Sequence, residues 1–312
     1  MLKIYRSNTQ GQLALMNEYI KGTWIHLINP TEEEIDDVVK AAEIPSYFIK
    51  DPLDEEEKSR IEKEDEGTLI IIDLPIMTPN GTKREKFITI PLGIIVTRDF
   101  LITVCLKETP ILEDFTRKKV KNFYTFMKTR FVLQLLHAVS TYYLAYLKQI
   151  NRKTNEIEKE LRQSLKNQEL FSLLNLQKSL VYFTTSLKTN QVVTQKISRG
   201  QHLRLYEQDQ ELLEDVIIEN RQAIEMAEIY TPIVSGLMDT FASVISNNVN
   251  NVMKILTSLT IILTFPIMIA SVYGMNIPIP FQRSPHAFAV IMIVSIALSS
   301  ITTFVFWKKR YL

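Results

Sequence analysis

The spacing of apolar residues changes along the chain and separates a strand-rich N-terminal region from a helical remainder. Four short apolar runs predict β-strands: TWIHLIN, TLIIIDLPIM, KFITIPLGIIV and DFLITVCL. Between the second and third runs, Asn80-Gly81 is typical of a hairpin turn. The segment PTEEEIDDVVKAAE predicts a helix, with Thr31 and Glu34 at capping-box spacing. We therefore expect residues 1–109 to form an α/β domain with a mostly antiparallel sheet.

Helical periodicity replaces the strand pattern near residue 110. The region 110–205 is predicted to hold a long helix and its antiparallel return, followed by a stalk helix over 206–254. Because no stop signal precedes the next apolar run, we expect one helix from about 209 to 275. Steps of three and four residues along it predict a packing seam of Met226, Tyr230, Ile233, Leu237, Phe241 and Val244.

Two long uncharged runs close the chain. Residues 255–275 and 288–307 are each long enough to cross a hydrocarbon core of about 30 Å at about 1.5 Å per residue. The short link at 276–287 makes them a transmembrane hairpin. A basic tail follows at 308–312.

The basic residues near the two runs predict the orientation of the hairpin. Lys254 flanks the first run and Lys308, Lys309 and Arg310 flank the second, whereas the link carries only Arg283. The positive-inside rule then places both termini in the cytoplasm of a plasma-membrane protein. The N-terminal residues lack the apolar region of a signal peptide, which agrees with a cytoplasmic N-terminal part.

The amino-acid composition argues against several classes of function. The net charge is +1, and taking away the five basic residues after position 246 leaves 31 Lys and Arg against 35 Asp and Glu. A slightly acidic N-terminal part does not favour nucleic acid as a partner. The single cysteine, Cys105, is expected to be a small buried residue. No nucleophile–base pattern, zinc-ligand spacing or phosphate-binding loop is present, so we expect no enzyme and no prosthetic group.

Small polar residues form a stripe along the first membrane run. Its members lie on one helical face: Thr257, Thr260, Thr264 and Ser271, continued inward by Met253 and Asn250. Small hydroxyl residues serve close helix packing, and equally a pore wall that offers neutral oxygens. Two helices cannot enclose a pore, so the second interpretation requires a homo-oligomer with this helix innermost. The second run is apolar apart from the cluster Ser299–Thr303 and suits a lipid-facing helix.

The motif Tyr273-Gly274-Met275-Asn276, at the end of the first of two C-terminal membrane helices, resembles the signature of the CorA family of magnesium channels. The stretches WIHLINPTEEEI, PLGIIVTRDFLITV and SLVYFTTSLKTN, with the whole stalk and first membrane run, are also similar to that family. The resemblance implies a homopentameric funnel that admits Mg²⁺ passively through the membrane and is gated by cytoplasmic Mg²⁺.

The resemblance also implies a selectivity filter. Asn276 would line the outer mouth as a ring of amide oxygens that hold a hydrated ion. Gly274 would permit close backbone approach or a φ that a Cβ forbids. Met275 would brace the loop, and Tyr273 would anchor it at the interface.

Further family positions match a gate and Mg²⁺ sites. Asn250, Met253 and Leu256 match the inner constriction. Asp239 matches an acidic ring at the cytoplasmic end of the pore, and Asp215 matches half of a regulatory Mg²⁺ site between subunits. Asp73 is one candidate for the other half. The acidic run at 51–67 is expected to be a solvated loop.

One departure and two alternatives stay open. The family usually carries an acid a few residues after Gly-Met-Asn, whereas IPIPFQRSP has none and adds Arg283. A relative that moves Zn²⁺, Co²⁺ or Ni²⁺ is the nearest alternative. A membrane-anchored coiled-coil sensor or scaffold would explain the stalk and the hairpin, but would not need the polar stripe.

Overall fold

The computed structural model describes residues 1–80, 84–117, 119–163, 167–277, 279–280, 284–309 and 311. Two compact units make up the chain, Met1–Met238 and Asp239–Leu312. The strands are β1 (Leu2–Ser7), β2 (Leu13–Met16), β3 (Trp24–Ile28), β4 (Arg60–Lys63), β5 (Gly67–Asn80), β6 (Arg84–Thr97) and β7 (Leu101–Cys105). The helices are α1 (Glu32–Ala42), α2 (Tyr47–Lys50), α3 (Pro110–Thr116), α4 (Lys128–Gln163), α5 (Asn167–Ser198), α6 (Gln210–Tyr273) and α7 (Ala287–Lys308).

One seven-stranded sheet organises the first unit, in the order β2-β1-β3-β7-β6-β5-β4. Among the described strands only β3 and β7 run parallel, with Trp24 opposite Leu101 and Ile28 opposite Cys105. The predicted hairpin is confirmed as β5 and β6, although Gly81 in its turn lies outside the described residues. The expected mostly antiparallel sheet is therefore confirmed.

The strands are apolar on successive residues because helices cover both faces of the sheet. On one face α1 and α2 contribute buried side chains such as Val38 and Phe48. On the other face α4 and α5 cover β6, where the rings of Phe87 and Phe183 lie 6.3 Å apart. Cys105 is buried at the end of β7, as expected.

The predicted capping box starts α1. The Glu34 backbone N–H donates to the Thr31 hydroxyl at 3.3 Å, and the Thr31 N–H donates to the Glu34 carboxylate at 3.0 Å. The same carboxylate accepts from the amino group of Met1 at 2.8 Å. Local polar pairing therefore fixes the helix start and ties β1 to it.

The predicted long helices are present, and α6 buries a face that lies beside the predicted seam, of which Phe241 is also buried. Within the first unit the buried residues of α6 are Leu213, Val216, Asn220, Ala223, Ile224, Ala227 and Val234. Hydrogen bonds from Asn220 to the Leu187 carbonyl and from Gln177 to Ser235 pair this face with α5. Ile233, a member of the predicted seam, is 47% exposed.

The acidic run at 51–67 is not simply a solvated loop. Its middle forms β4, which pairs with β5, and Arg60 in that strand binds three carboxylates. The guanidinium lies 2.6 Å from Asp51 and 2.8 Å from Glu62, and it also contacts Glu57. The strand was not predicted because its sequence is rich in charged residues. These charges are tolerated in the fold because the partly buried Arg60 neutralises the neighbouring carboxylates.

Candidate functional site: the polar face of α6

The second unit contains two helices that are apolar and long enough to cross a membrane, the C-terminal part of α6 and the whole of α7. A small-residue contact joins them. Ser258 on α6 and Ser295 on α7 are buried, at 2% and 6% exposure. The Ser299 hydroxyl donates to the Ile262 carbonyl at 3.2 Å. Small side chains here let the two helices approach closely.

The residues predicted to line a pore lie on the side of α6 that faces away from α7. All are exposed within the protomer: Asn250, Met253, Leu256, Thr257, Thr260, Thr264 and Ser271. Viewed down the axis of α6, with about 100° between successive residues, these side chains cover an arc of about 120°. The centre of that arc is about 160° around the helix from Ser258 and Ile262, which mark the face toward α7. The structure thus collects the predicted stripe on one free face.

Two threonine hydroxyls of the stripe bond to their own helix. Thr260 donates to the Leu256 carbonyl at 2.9 Å, and Thr264 donates to the Thr260 carbonyl at 2.7 Å. Each hydroxyl proton is therefore used, while the oxygen keeps acceptor capacity on the open side. Such a face offers neutral acceptors to water molecules.

The predicted filter residues follow the end of α6. The Gly274 N–H donates to the Ala270 carbonyl at 2.9 Å and to the Ser271 carbonyl at 3.2 Å, which tightens the last turn. The Tyr273 hydroxyl donates to the Pro280 carbonyl at 3.4 Å and ties the helix end to the loop. Met275 and Asn276 are exposed.

Gly274 does not have the left-handed backbone that the sequence allowed. It is absent from the described glycines with positive φ, which are Gly11, Gly22 and Gly200. A Cβ at Gly274 would lie 3.3 Å from the Ala270 carbonyl oxygen and 3.5 Å from that of Ser271. Of the two roles considered for Gly274, the structure therefore favours a moderately close approach of backbone over a positive φ.

The three candidate acidic residues differ in their surroundings. Asp215 and Asp239 are exposed on α6. Asp73 is mostly buried on β5, where burial raises the pKa of its carboxyl and hydrogen bonds from Ser186, Ser59 and Thr189 act in the opposite direction. Its backbone carbonyl accepts from Tyr143 and from Asn190, so the strand is held firmly at this point.

Within the described part of the chain, no three His, Cys, Asp or Glu side chains lie close enough to hold a metal ion together. Lys254, Lys308 and Lys309 are exposed. Arg310 and Arg283 lie outside the described residues. The assignments of filter, gate, metal-binding and flanking residues stay predictions.

Sequence reasoning missed the contact of α7 with α6. Ser299 belongs to the polar cluster of the helix predicted to face lipid, and its hydroxyl binds α6. The signal was available, since Ser295 and Ser299 lie four residues apart and so share a helical face.

A mixed sheet, a long helix with a polar face and a second apolar helix follow one another in this chain, and a known family has the same order. The family of CorA-like Mg²⁺ transporter proteins matches residues 21–310. The chain belongs to that family. The members of this family are described as Mg²⁺ transporters.

Two curated CorA-like relatives are similar along the chain. The cobalt/magnesium transport protein CorA of Methanocaldococcus jannaschii is 26% identical over 294 residues, which are 93% of this chain and 91% of the relative. The protein of the same name from Thermotoga maritima is 26% identical over 57% of this chain and 51% of its own length.

A solved structure shows the same CorA fold. The complete structure of the CorA magnesium transporter from M. jannaschii covers 100% of this chain and 99% of its own, with a TM-score of 0.83 at 23% identity. The predicted architecture of an α/β part, a long helix and a C-terminal helical hairpin is thereby confirmed.

Proposed function

We propose that this protein moves Mg²⁺ across a membrane through a pore lined by α6. The observation that carries the proposal is the polar stripe, which lies opposite the α7 contact and leads to Tyr273-Gly274-Met275-Asn276 in a CorA-like chain. The stripe is neutral and polar, and it does not face α7, its partner helix in the described part of the chain. Such a face suits contact with water and hydrated ions better than contact with lipid.

An oligomer is required, because one stripe cannot enclose a pore. We infer a homopentameric funnel in which the α6 helices form the inner ring and the α7 helices the outer ring. The exposed basic residues Lys254, Lys308 and Lys309 favour cytoplasmic termini in the plasma membrane. The cytoplasmic part would then comprise the predicted domains at 1–109, 110–205 and 206–254. The membrane hairpin would be the domain at 255–312.

The filter would act on a hydrated ion. Mg²⁺ loses water reluctantly and usually keeps several waters in proteins. A ring of Asn276 amides could accept hydrogen bonds from those waters without removing them, and a neutral ring would not retain a divalent cation. Inside the pore, Met253 and Leu256 would form an apolar constriction that closes by excluding water.

The membrane potential would drive the ion inward. A divalent cation gains about 4.6 kcal/mol per 100 mV, twice the single-charge value, so no nucleotide hydrolysis is needed. Mg²⁺ bound at Asp215, with Asp73 as the candidate for the other half of the site, would hold neighbouring acidic surfaces together and keep the pore shut. Depletion of cytoplasmic Mg²⁺ would release them. Asp239 would form the acidic ring at the cytoplasmic end of the pore.

Co²⁺ is a second candidate substrate, since both curated relatives are named cobalt/magnesium transport proteins. The deciding experiment is ion uptake by the purified chain in liposomes, with Mg²⁺, Co²⁺, Ni²⁺ and Zn²⁺ tested separately. We expect uptake of Mg²⁺, loss of uptake in Asn276→Ala, and normal uptake in Asn251→Ala. Asn251 is a matched control because it is exposed on α6, opposite the stripe.

Two outcomes would contradict this proposal. Equal Mg²⁺ uptake by wild type and Asn276→Ala removes the filter assignment. Absence of uptake of every ion favours a membrane-anchored sensor or scaffold instead.

A further inference from the structure

A cavity of about 370 Å³ lies in the first unit, between the start of α4 and the segment that connects α5 to α6. It is remote in sequence from the polar stripe and carries none of the predicted site residues. The polar and charged residues in its lining include Lys128, Arg130, His202, Arg204, Tyr206 and Asp209. A volume of this size falls in the range of small-molecule sites.

The wall of the cavity is fixed by bonds to the fold. The Thr68 hydroxyl on β5 donates to the His202 carbonyl at 3.1 Å, and the Thr129 hydroxyl on α4 donates to the Arg204 carbonyl at 3.0 Å. Leu203 between them is buried at 5% exposure. The connecting segment is therefore held in place without a ligand, and the cavity is preformed.

Positive charge dominates the lining. Lys128, Arg130 and Arg204 face a single described carboxylate, Asp209, whose side chain is 1% exposed. Asp209 is already bound to Arg130, with 3.3 Å between its Oδ1 and the arginine Nη1. Asp99, outside the lining, also acts on Lys128. Two carboxylates do not neutralise three cations, so the lining keeps an excess of positive charge.

Two nitrogens of lining residues have no partner. The Nε of Arg130, a donor, and the Nδ1 of His202, a donor or an acceptor according to the tautomer, are buried without a hydrogen-bond partner among the described residues. The Lys128 ammonium gives two of its three protons to the carbonyls of Thr97 and Arg98, both at 2.6 Å. Buried donors without acceptors are unfavourable, and an anion in the cavity would satisfy them.

Aromatic side chains form the outer part of the same cavity. Tyr206 and Phe126 are 46% and 43% exposed, and the Arg204 guanidinium lies 5.4 Å from the Tyr206 ring centroid. An arginine held over a ring presents its in-plane N–H groups outward, in the fork that matches phosphate oxygens. The lining thus combines an anion-binding floor with a planar, apolar rim.

We propose that this cavity binds a small phosphate-bearing anion, with the phosphate against Arg130, His202 and Arg204. Inorganic phosphate would use the floor alone. A mononucleotide would in addition place its base against Tyr206 and Phe126. Binding is independent of ion transport, because every residue involved lies in the first unit and outside the polar stripe.

The test is calorimetric titration of the full chain in detergent with inorganic phosphate and, separately, with AMP. Magnesium-free buffer of constant ionic strength excludes effects of chelation and of salt. We expect saturable binding of at least one of the two. In Arg204→Gln the affinity should fall about tenfold, because one charge-assisted hydrogen bond is lost. Tighter binding of AMP than of phosphate identifies the base as part of the ligand.

Two further variants separate binding from folding. Asp209→Asn removes the only carboxylate of the described lining while keeping an acceptor for Arg130, so it should strengthen binding. Arg221→Gln is the matched control, since Arg221 is exposed on α6 and pairs with Glu225 at 3.0 Å, away from the cavity. No saturable binding of either probe, or equal binding by wild type and Arg204→Gln, would overturn the proposal.

Discussion

The hydroxyl of Ser299 on α7 binds the carbonyl of Ile262 on α6, with 3.2 Å between the two oxygens. This contact sets which side of α6 is covered by its own protomer. The polar stripe lies on the other side, where Thr257 and Thr260 are exposed. The two sides of α6 therefore lie in two distinct environments.

Thr260→Val tests the environment of the stripe. The substitution keeps the shape of the side chain but removes an oxygen that can accept from water. We expect Mg²⁺ uptake in liposomes to fall about fivefold, the equivalent of one hydrogen bond of about 1 kcal/mol.

Thr302→Val is its matched control. Thr302 lies on α7 and its hydroxyl also donates to the carbonyl four residues earlier, Leu298, at 2.8 Å. Equal losses in the two variants would mean that the hydroxyl of Thr260 supports only its helix.

Asp215→Asn tests regulation by internal Mg²⁺. Asp215 is exposed on α6, one turn before Glu219, whose carboxylate accepts from Thr141 on α4 at 2.6 Å. Removing the charge should abolish the closing of the pore by Mg²⁺ inside the liposome, while uptake at low internal Mg²⁺ persists.

Asp73→Asn completes that test. If Asp73 is the other half of the site, its variant loses inhibition by internal Mg²⁺ as Asp215→Asn does. Unchanged inhibition in Asp73→Asn would show that the Asp73 carboxylate is not part of the regulatory site and serves only as an acceptor for Ser186, Ser59 and Thr189.

Two glycine variants separate a local effect at the filter from an effect on folding. At Gly93 an added Cβ would overlap the ring of Pro52, with only 2.8 Å to its Cβ. Gly93→Ala should therefore destabilise the first unit by about 1–3 kcal/mol. At Gly274 the nearest atom is 3.3 Å away, so Gly274→Ala should lower uptake without lowering the thermal midpoint. A large drop in the midpoint of Gly274→Ala would contradict this.

The buried pair His26 and Thr103 predicts a pH dependence of stability. The Thr103 hydroxyl accepts from the Trp24 indole N–H at 2.8 Å and lies 2.9 Å from His26 Nδ1. Burial lowers the pKa of His26 to about 4. The unfolded chain, with a pKa of about 6.5, then binds more protons between these values, and the stability is lost as the pH falls.

The expected loss between about pH 6.5 and pH 4 is about 3 kcal/mol. It can be measured from thermal unfolding followed by circular dichroism across that range. His26→Asn places a non-titrating acceptor near the position of Nδ1 and should flatten this part of the profile. An unchanged profile would assign the pH dependence to other groups.

Much of the fold could be predicted because its signals are local. The runs that became β3, β5, β6 and β7 are rich in β-branched residues, and the capping box of α1 involves only Thr31 and Glu34. The strands β1, β2 and β4 were missed. β1 and β4 carry charged residues between their apolar ones, and β2 has only four residues, so only the partners in the sheet define these strands.

The site could be predicted less completely. The threonine stripe was found because its spacing is regular. Which face of α6 meets α7 depends on a serine contact across 37 positions of sequence. The spacing of Ser295 and Ser299 marks a face of α7, but it does not identify the residues of α6 that this face meets. The ion pair of Arg130 with the buried Asp209 was missed for the same reason, since charged residues are expected at the surface unless a partner is known.

The parallel pair β3–β7 has a consequence for synthesis. The two strands lie about 70 residues apart, and all five residues of β3 are buried. Translation adds about 5–20 residues per second. The edge of β3 would therefore stay unpaired for about 4–15 s before β7 is synthesised. An apolar edge left open for that time is a template for wrong pairing. Translation speed, or a chaperone at the nascent chain, therefore becomes a determinant of the yield of this protein.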